Sequence, residues 1–484
     1  MKIRLVTACI AAALAGCTVG PNYVRPTVDT PAAWRIDYPK AAEVANLQWW
    51  QQFNDPVLDQ LIDTALRNNR DLVIAAARVD QFIGALTTTG SQLYPQIGYG
   101  ADASRARASA VGQPPLPPGA NPYFSLYNVS LGASWQADLF GRVRRQTEAA
   151  QAQVYASEQG QRGVVLTVVA GVATSYIVLR SLDRQLEIAK ATARNFERTL
   201  KIFERRFSAG LVANTEVTQV RSQLQQALAA IPAFEQAIAA QENLISILLG
   251  SNPGPIPRGK TIDQLAAPEI PGDLPATLLQ RRPDILQAEQ NLIAANASIG
   301  AARALYYPDL SLNAALATTS TVASNLFSGP AAAGLIGASL VGPIFTFGAI
   351  EGQVFSAEAG QRQALAFYQR TVLNALRETN DALTGSQKKL EESNMQRERV
   401  IALREFARLA NRRFDQGVVG YLEVLIAENE LFAAEIANVG LQASRYAQIV
   451  NVYQAMGGGW VDVANELAPK PLGRVAAQAT KPTP

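Results

Sequence analysis

The sequence contains no histidine, and its 484 residues include two cysteines and three methionines. Without histidine, Ser-His-Asp and Cys-His catalysis and the usual zinc and iron ligand sets are excluded. No Walker-type loop and no Gly-x-Gly-x-x-Gly motif opening a helix is present. A net charge of +3 gives no basic excess for nucleic-acid binding. We therefore expect neither a nucleic-acid-binding protein nor an enzyme, with a carboxylate-only enzyme as the remote alternative.

The N-terminus carries a targeting pattern. Lys2 and Arg4 precede a short apolar run, residues 5–15, which ends in Leu14-Ala15-Gly16-Cys17. The run is too short for a membrane-spanning helix. The pattern resembles the bacterial lipoprotein signal, which implies removal of residues 1–16 and diacylglyceryl and N-acyl groups on Cys17. Thr18, which is not Asp, favours the outer membrane in that resemblance. A plain secretory signal with an incidental cysteine is the alternative.

The chain contains an internal duplication. The segment 206–212, Arg-Phe-Ser-Ala-Gly-Leu-Val, returns as Arg-Phe-Asp-Gln-Gly-Val-Val at 413–419, and Phe140-Gly141 returns as Phe347-Gly348 at the same offset. Such repetition indicates one supersecondary unit present twice.

Long amphipathic helices follow from the apolar spacing. From Val165 to Phe207 apolar or small residues recur every three or four positions, and the second half repeats this pattern. A sustained seven-residue repeat predicts coiled-coil packing. The most apolar window, 163–179, is interpreted as a packed helix face. Pro232 should kink or break the helix that contains it.

Four segments alternate with a period of two, which predicts β-strands at about 95–107, 124–138, 308–319 and 334–346. Each is long enough for a tilted transmembrane strand, and aromatic residues cluster near the ends. A half-buried soluble sheet is the alternative. Four strands cannot close a membrane barrel, so the chain must associate, and two copies would supply eight strands and three would supply twelve. The side chains predicted to face a wet lumen are Asp102, Asn128, Ser130, Gln136 and Asn313.

Motifs along almost the whole chain resemble the TolC-like outer membrane factor family, in its NodT-type efflux lipoprotein branch. These motifs are Gly20-Pro21-Asn22-Tyr23, Trp49-Trp50, Asp55-Pro56, Leu58-Asp59, Asp138-Leu139-Phe140-Gly141-Arg142, Arg281-Arg282-Pro283-Asp284, Tyr307-Pro308, the Cys17 signal and the two glycine turns. The resemblance implies a mixed α/β membrane protein: a trimeric, 12-stranded transmembrane β-barrel with four strands per chain, continued by a periplasmic α-helical coiled-coil barrel. The implied segments are a signal peptide 1–16, a lipidated equatorial segment 17–60, a first repeat 61–250, a linker 251–280, a second repeat 281–458 and a tail 459–484.

The implied function is a passive exit duct of a tripartite efflux pump in the outer membrane. The implied partners are two further copies of the chain, a periplasmic membrane-fusion adaptor, an inner-membrane transporter of the RND type and outer-membrane lipids. No cofactor apart from the lipid on Cys17, no metal and no catalytic residue is expected. The alternatives are a duct for type I protein secretion and a lipid-anchored periplasmic coiled-coil scaffold without a pore.

The resemblance also implies that the two helical hairpin tips bind the adaptor and close the resting channel. The implied adaptor contacts are Arg206, Phe207, Gly210, Thr215, Glu216, Arg413, Phe414, Gly417, Val418, Tyr421, Leu422 and Glu423. Related proteins often have an acidic residue after the second Gly-Val, where this chain has Val419. Asp415 could replace it as an acidic ring, with Arg412 or Arg413 as its latch. Solvated charges at the tip are the alternative.

Overall fold

The computed structural model describes residues 18–28, 30–31, 33–35, 48–109, 117, 119–270 and 275–473. The predicted signal peptide and Cys17 lie outside the described residues, as do parts of the first strand loop, the linker and the tail. The chain divides into two compact units. The unit that we call the sheet unit comprises the described residues of Met1–Pro26, Asp80–Ala156 and Ala288–Tyr368. The hairpin unit comprises those of Thr27–Val79, Ser157–Gln287 and Gln369–Pro484.

Most of the helices are long, and few of them are short connectors. They are α1 Pro56–Asn68, α2 Arg70–Ser91, α3 Arg142–Ser208, α4 Asn214–Leu248, α5 Leu278–Arg281, α6 Pro283–Arg303, α7 Ala349–Asp415, α8 Tyr421–Met456 and α9 Trp460–Leu467. Both α3 and α7 contain 67 residues, which corresponds to about 100 Å at 1.5 Å per residue. The two halves of the duplication therefore each supply one very long helix followed by a shorter return helix.

The sheet unit contains four antiparallel strands in the order β1-β2-β3-β4. They are β1 Gln96–Arg107, β2 Tyr123–Ala137, β3 Asp309–Ser320 and β4 Ala332–Val341. The predicted ranges of the first three strands agree with the structure within two residues. The fourth strand was predicted to end at 346, and this is wrong. It ends at Val341 because Pro343 has no N–H for the strand ladder, and a Cβ on Gly342 would lie 2.9 Å from Pro308.

The predicted apolar stripe of α3 lies inside the hairpin unit over most of its length. Val165, Val168 and Val172 are buried near its centre, and Phe196 and Phe203 are buried closer to its end. Phe207, the last predicted member, is 47% exposed. The stripe therefore stops one turn before the helix does, because at the tip fewer neighbouring segments cover it.

Pro232 does not break its helix, so that part of the prediction is wrong. Helix α4 runs without interruption from Asn214 to Leu248 with Pro232 inside it. Proline removes one backbone hydrogen bond and crowds the preceding turn. Burial of Val220 and Leu224 before the proline and Ile245 after it anchors α4 on both sides, and this packing outweighs the local preference.

An aromatic cluster forms the centre of the hairpin-unit core. Trp49 stacks on Tyr453 at 5.1 Å between ring centroids and meets Trp50 and Trp460 edge to face at 5.8 and 6.0 Å. Edge-to-face and stacked rings add to the stability gained by burial alone. The cluster joins the segments before α1 and after α8 to the long helices. Residues 18–26 of the predicted equatorial belt belong instead to the sheet unit.

Asp55 fastens α1 to this core. Its side chain accepts a hydrogen bond from the Val57 amide at 3.0 Å, which caps the helix. It also accepts from the Tyr176 hydroxyl at 2.8 Å and the Lys260 amide at 3.0 Å. Burial and this bond to Asp55 raise the pKa of the Tyr176 phenol. One buried carboxylate thus joins three segments that are distant in sequence.

Candidate functional site

One face of the sheet is apolar and exposed. The strand register aligns its side chains in rows across the strands. Two neighbouring rows are Ile97-Ala133-Ala314-Ile336 and Tyr99-Leu131-Leu316-Gly334. Tyr99 and Ile336 are 92% and 90% exposed. Water-soluble surfaces rarely present apolar rows of this extent, whereas a hydrocarbon environment requires them.

The opposite face carries the polar residues predicted from the alternation. Asp102, Asn128 and Thr319 form one row, in which the Asn128 amide donates to Asp102 at 2.9 Å and the Thr319 hydroxyl donates to Asn128 at 3.0 Å. Ser130, Gln136 and Asn313 fall on the same face by register. The sheet therefore separates a polar surface from an apolar one, and Phe124 and Leu335 are exceptions on the polar side.

Both outer edges of the sheet are open. Among the described residues β1 pairs only with β2 and β4 only with β3, along edges of twelve and ten residues. Placing an unpaired backbone N–H or C=O group in hydrocarbon costs roughly several kcal/mol of free energy for each group. A single copy of this sheet is therefore unsuited to a bilayer, while edge pairing between copies would satisfy these groups.

Exposed aromatic rings lie close to the positions where the strands join the helices. They are Tyr94, Tyr306, Tyr307, Phe345 and Phe347. Trp135 lies at the same end of β2, and its indole N–H donates to the Leu93 carbonyl at 3.0 Å. Aromatic side chains at the end of an apolar strand surface are typical of a membrane–water interface.

Arg145 is one of the residues that hold the segment after Cys17 within the sheet unit. Arg145 is 4% exposed and donates to the Val19 carbonyl at 3.2 Å and to the Asn22 side chain at 2.8 Å. By sequence alone, the basic residues Arg142, Arg144 and Arg145 after the strand exit indicate either an interfacial anchor or a solvated helix face. For Arg145 both interpretations are wrong, because its guanidinium is buried by the N-terminal segment.

Two similar turns form the tips of the hairpin unit. In the first, the Leu211 amide donates to the Arg206 carbonyl and the Gly210 amide to the Phe207 carbonyl, both at 2.9 Å. Gly417 and Val418 repeat the pattern in the second. Gly210 and Gly417 have φ of 73° and 75°, a conformation that disfavours a side chain. The predicted role of both glycines in forming the turns agrees with this Schellman geometry.

An aromatic cluster joins the two tips within the hairpin unit. Tyr421 lies 4.3 Å from Phe203 and 5.3 Å from Phe414 between ring centroids, and the Arg206 guanidinium lies over Phe414 at 5.5 Å. Burial, and secondarily Glu428, raise the pKa of Tyr421 to about 12. Tyr421 was predicted to contact the adaptor, but its side chain is buried and packs inside the tip. Phe203 was missed in the sequence, where it is one of many apolar stripe positions.

The equivalent glutamates of the two repeats act differently. Glu216 accepts a hydrogen bond from the Ala213 amide at 3.2 Å and so caps α4. Glu423 accepts an ion-paired hydrogen bond from Arg413 at 2.7 Å. Thr215 is exposed at the start of α4, and the apolar side chains of Phe207, Val418 and Leu422 are exposed at the tips.

The predicted gate residues lie together at the C-terminal end of α7 and in the turn that follows it. Asp415 ends this helix and is exposed, as are Arg412 and Arg413, while Val419 is half-buried. Arg413 pairs with Glu423 and not with Asp415 within the chain. The acidic ring and its latch stay a prediction, because they concern contacts between copies.

Neither a metal cluster nor an exposed apolar helix is apparent in the described ranges. No group of three or more His, Cys, Asp or Glu residues there could hold a metal ion. Among these residues α3 alone is long and apolar enough to cross a membrane, and 61% of its most apolar window is buried. That burial agrees with a packed helix face at 163–179.

Sequence and structure comparisons identify the class of protein. The probable efflux pump outer membrane protein TtgC of Pseudomonas putida is 33% identical, covering 95% of this chain and 96% of the relative. The cation efflux system protein CusC of Escherichia coli is 32% identical, with 94% and 99% covered. The open-state MtrE outer membrane channel of Neisseria gonorrhoeae superimposes with a TM-score of 0.83 at 28% identity, covering 92% of this chain and 99% of that one.

The comparisons and the apolar sheet define an outer-membrane efflux channel that extends into the periplasm. The family profile described as "Outer membrane efflux protein" matches residues 61–251 and 274–458. The chain belongs to this outer membrane efflux protein family.

Proposed function

We propose that three copies of this chain form the exit duct of a tripartite efflux pump. In the proposed trimer, each sheet contributes four strands to a twelve-stranded barrel, and the hairpins form a periplasmic tunnel. The observation that carries the proposal is the sheet with one apolar exposed face, one polar face and two open edges. Edge pairing of β1 with β4 of the next copy closes the barrel and turns Asp102 and Asn128 toward a water-filled lumen.

The trimer is favoured over other assemblies by the size of the lumen. One copy leaves open edges, and a barrel of eight strands from two copies has an interior filled by side chains. Twelve strands leave space for a solute. The long helices of the hairpin unit, two per repeat, would then supply twelve helices to the tunnel wall.

The hairpin tips are proposed to dock a periplasmic adaptor that connects the duct to an inner-membrane transporter. Phe207, Leu211, Val418 and Leu422 expose apolar surface beside the charged Arg206 and Arg413. Such a mixture of apolar anchors and arginine is common in protein interfaces. The sequence of the duct contains no nucleotide-binding motif, so the energy is proposed to come from the inner-membrane transporter, for which we propose the RND type.

The lipid anchor on Cys17 remains part of the proposal. Cys17 itself lies outside the described residues. The adjacent segment supports it, because Val19 and Asn22 are held at Arg145, directly after the β2–α3 junction. A lipid attached here would lie close to the aromatic residues at the helix end of the strands, on the expected periplasmic side of the membrane.

The transported compounds are proposed to be drugs or other small molecules. The name of CusC refers to cations and that of the relative TtgF of Pseudomonas putida to toluene, so related ducts are named for chemically different substrates. This favours selection by the pump. Type I protein secretion is the second candidate for the same duct.

The test is the mass of the protein extracted in detergent, corrected for bound detergent, followed by conductance in planar bilayers. A trimer that forms a water-filled channel is expected. A stable monomer without conductance would contradict barrel closure and favour a periplasmic scaffold. A Cys17→Ala variant, expressed behind a cleavable secretory signal, would show in the same experiments whether lipid is required for assembly or only for anchoring.

A further inference from the structure

The charge distribution of the strand segments is unusually one-sided. Between Asp102 and Asp138 the sequence contains two charged residues, Arg105 and Arg107, and between Asp309 and Glu351 it contains none. Residues 103–137 and 310–350, which include most of the strands and the loops at their far ends, therefore carry two cations and no anion per chain. Asp102 is therefore the nearest acidic residue in the strand segments that could pair with either arginine.

The Asp102 side chain lies on the opposite face of the sheet from the two arginines. It lies on the polar face, where its carboxylate accepts a hydrogen bond from Asn128. Arg105 and Arg107 occupy odd positions of β1, on the same face as Ile97 and Tyr99. The register places Arg105 opposite Ser125 and Arg107 opposite Tyr123, and both arginines are exposed. The two cations therefore project from the apolar face of the sheet.

The position of the arginines along β1 matches the height of the apolar band of a membrane barrel. Ile97 and Arg107 are ten residues apart, or about 33 Å along a strand. With a strand tilt of about 40°, this is about 25 Å along the membrane normal, which is the usual height of the apolar band of an outer-membrane barrel. Ile97 lies near the end of β1 that connects to helix α2, and the arginines lie at the opposite, hairpin end. In an efflux duct the hairpin end faces the outside.

The side chains near the arginines suit a lipid headgroup. The Arg107 guanidinium lies over the Tyr123 ring at 5.7 Å, and Tyr123 is exposed. A ring beneath the guanidinium holds its plane while leaving the N–H edges available. Arginine binds phosphate through paired N–H donors with better geometry than lysine.

We propose that Arg105 and Arg107 form a binding site for the phosphate groups of lipopolysaccharide in the outer leaflet. The inference depends on the proposed trimeric barrel, in which three copies place six arginines around the outer rim. Tyr123 contacts the upper acyl chains and glycolipid backbone, and the guanidinium groups bind the phosphates above it. The site holds the barrel at a fixed height in an asymmetric membrane.

The test uses delipidated trimers in detergent, with bound lipid A counted by native mass spectrometry. Lipid A with both phosphates is compared with fully dephosphorylated lipid A. An anionic surface contributes roughly a fivefold gain in affinity per basic residue. The Arg105→Gln/Arg107→Gln variant should therefore bind the phosphorylated lipid roughly 25-fold more weakly, and dephosphorylated lipid as the unmodified protein does.

The matched control is Lys388→Gln/Lys389→Gln, which removes the same charge from one exposed and one half-buried position of α7 in the hairpin unit and should leave binding unchanged. Equal binding of phosphorylated lipid A by trimers with and without the two arginines would overturn the inference. If the double variant does not assemble, Arg105→Gln alone is measured, and a loss of about fivefold is expected. If the unmodified protein itself did not form trimers, that result would instead count against the proposed function.

Discussion

At the scale of single residues, Asp415 tests whether the tip closes the channel by charge. Its counterpart in the first repeat is Ser208, so the two tips differ in one carboxylate per chain. If three Asp415 side chains line the resting mouth and are held by Arg412 or Arg413 of adjacent copies, Asp415→Ala should raise the closed-state conductance severalfold. The effect should shrink at high salt, which screens exposed charges.

The control is Ser208→Ala, which changes the equivalent position without changing charge and should leave conductance as it is. Single-channel recording at low and high ionic strength makes the comparison. Unchanged closed-state conductance in Asp415→Ala would reject the ring and leave Asp415 as a solvated tip charge.

A second residue-scale prediction concerns Asp55. Asp55→Ala removes the cap of α1 and leaves the Tyr176 hydroxyl and the Lys260 amide without their acceptor. The loss of a cap and a buried acceptor should destabilise the protein by about 3 kcal/mol.

The measurement is the thermal melting of the detergent-solubilised protein. Asp71→Ala, at an exposed position in the first turn of α2, is the control and should shift the melting temperature far less. A melting temperature for Asp55→Ala equal to that of the control would show that the three buried contacts contribute little.

At the scale of elements, the sequence predicted those whose local pattern was strong. The strict alternation of Ile97, Tyr99 and Leu131 against polar neighbours located β1 and β2, and the duplicated turns located both hairpins. The end of β4 was missed because residues 334–346 are rich in glycine and small side chains, which leave little alternation to follow.

The remaining errors concern contacts that are distant in sequence. Burial of Tyr421 depends on Phe203, which comes from the other repeat, and Arg145 is buried because residues 18–22 fold over it. Local spacing contains no information on such pairs. By spacing alone, Phe203 is one apolar position among many in the stripe of α3, and Tyr421 is one residue among several after the second turn.

Pro232 gives a prediction at this scale. It lies on an exposed part of α4, which continues through it, and proline is about 3 kcal/mol less favourable than alanine inside a helix. Pro232→Ala should therefore raise the melting temperature and leave the conductance unchanged. Ala233→Pro, one position along the same exposed face, is the contrasting variant and should lower the melting temperature. Loss of trimers in Pro232→Ala would instead show that a bend at the proline is needed for assembly.

At the scale of the whole molecule, the two faces of the sheet should respond oppositely to the same added charge. Leu131 and Ser130 are neighbours on β2, near the middle of the apolar rows, and they face opposite sides. An arginine facing lipid near the midplane destabilises a barrel by about 2–4 kcal/mol, whereas a lumen position tolerates charge. Leu131→Arg should therefore reduce the yield of trimers in the outer membrane, and Ser130→Arg should not.

Ser130→Arg should act on conduction instead, because three added cations would surround the lumen of the trimer. We expect a lower conductance and a shift of selectivity toward anions, measured as the reversal potential across a salt gradient. Leu131→Ala is the control for loss of the leucine side chain and should assemble better than Leu131→Arg. If Ser130→Arg prevented assembly while Leu131→Arg produced normal trimers with altered selectivity, the assignment of the lipid and lumen faces would be reversed, and the arginines at the outer end of β1 would point into the channel.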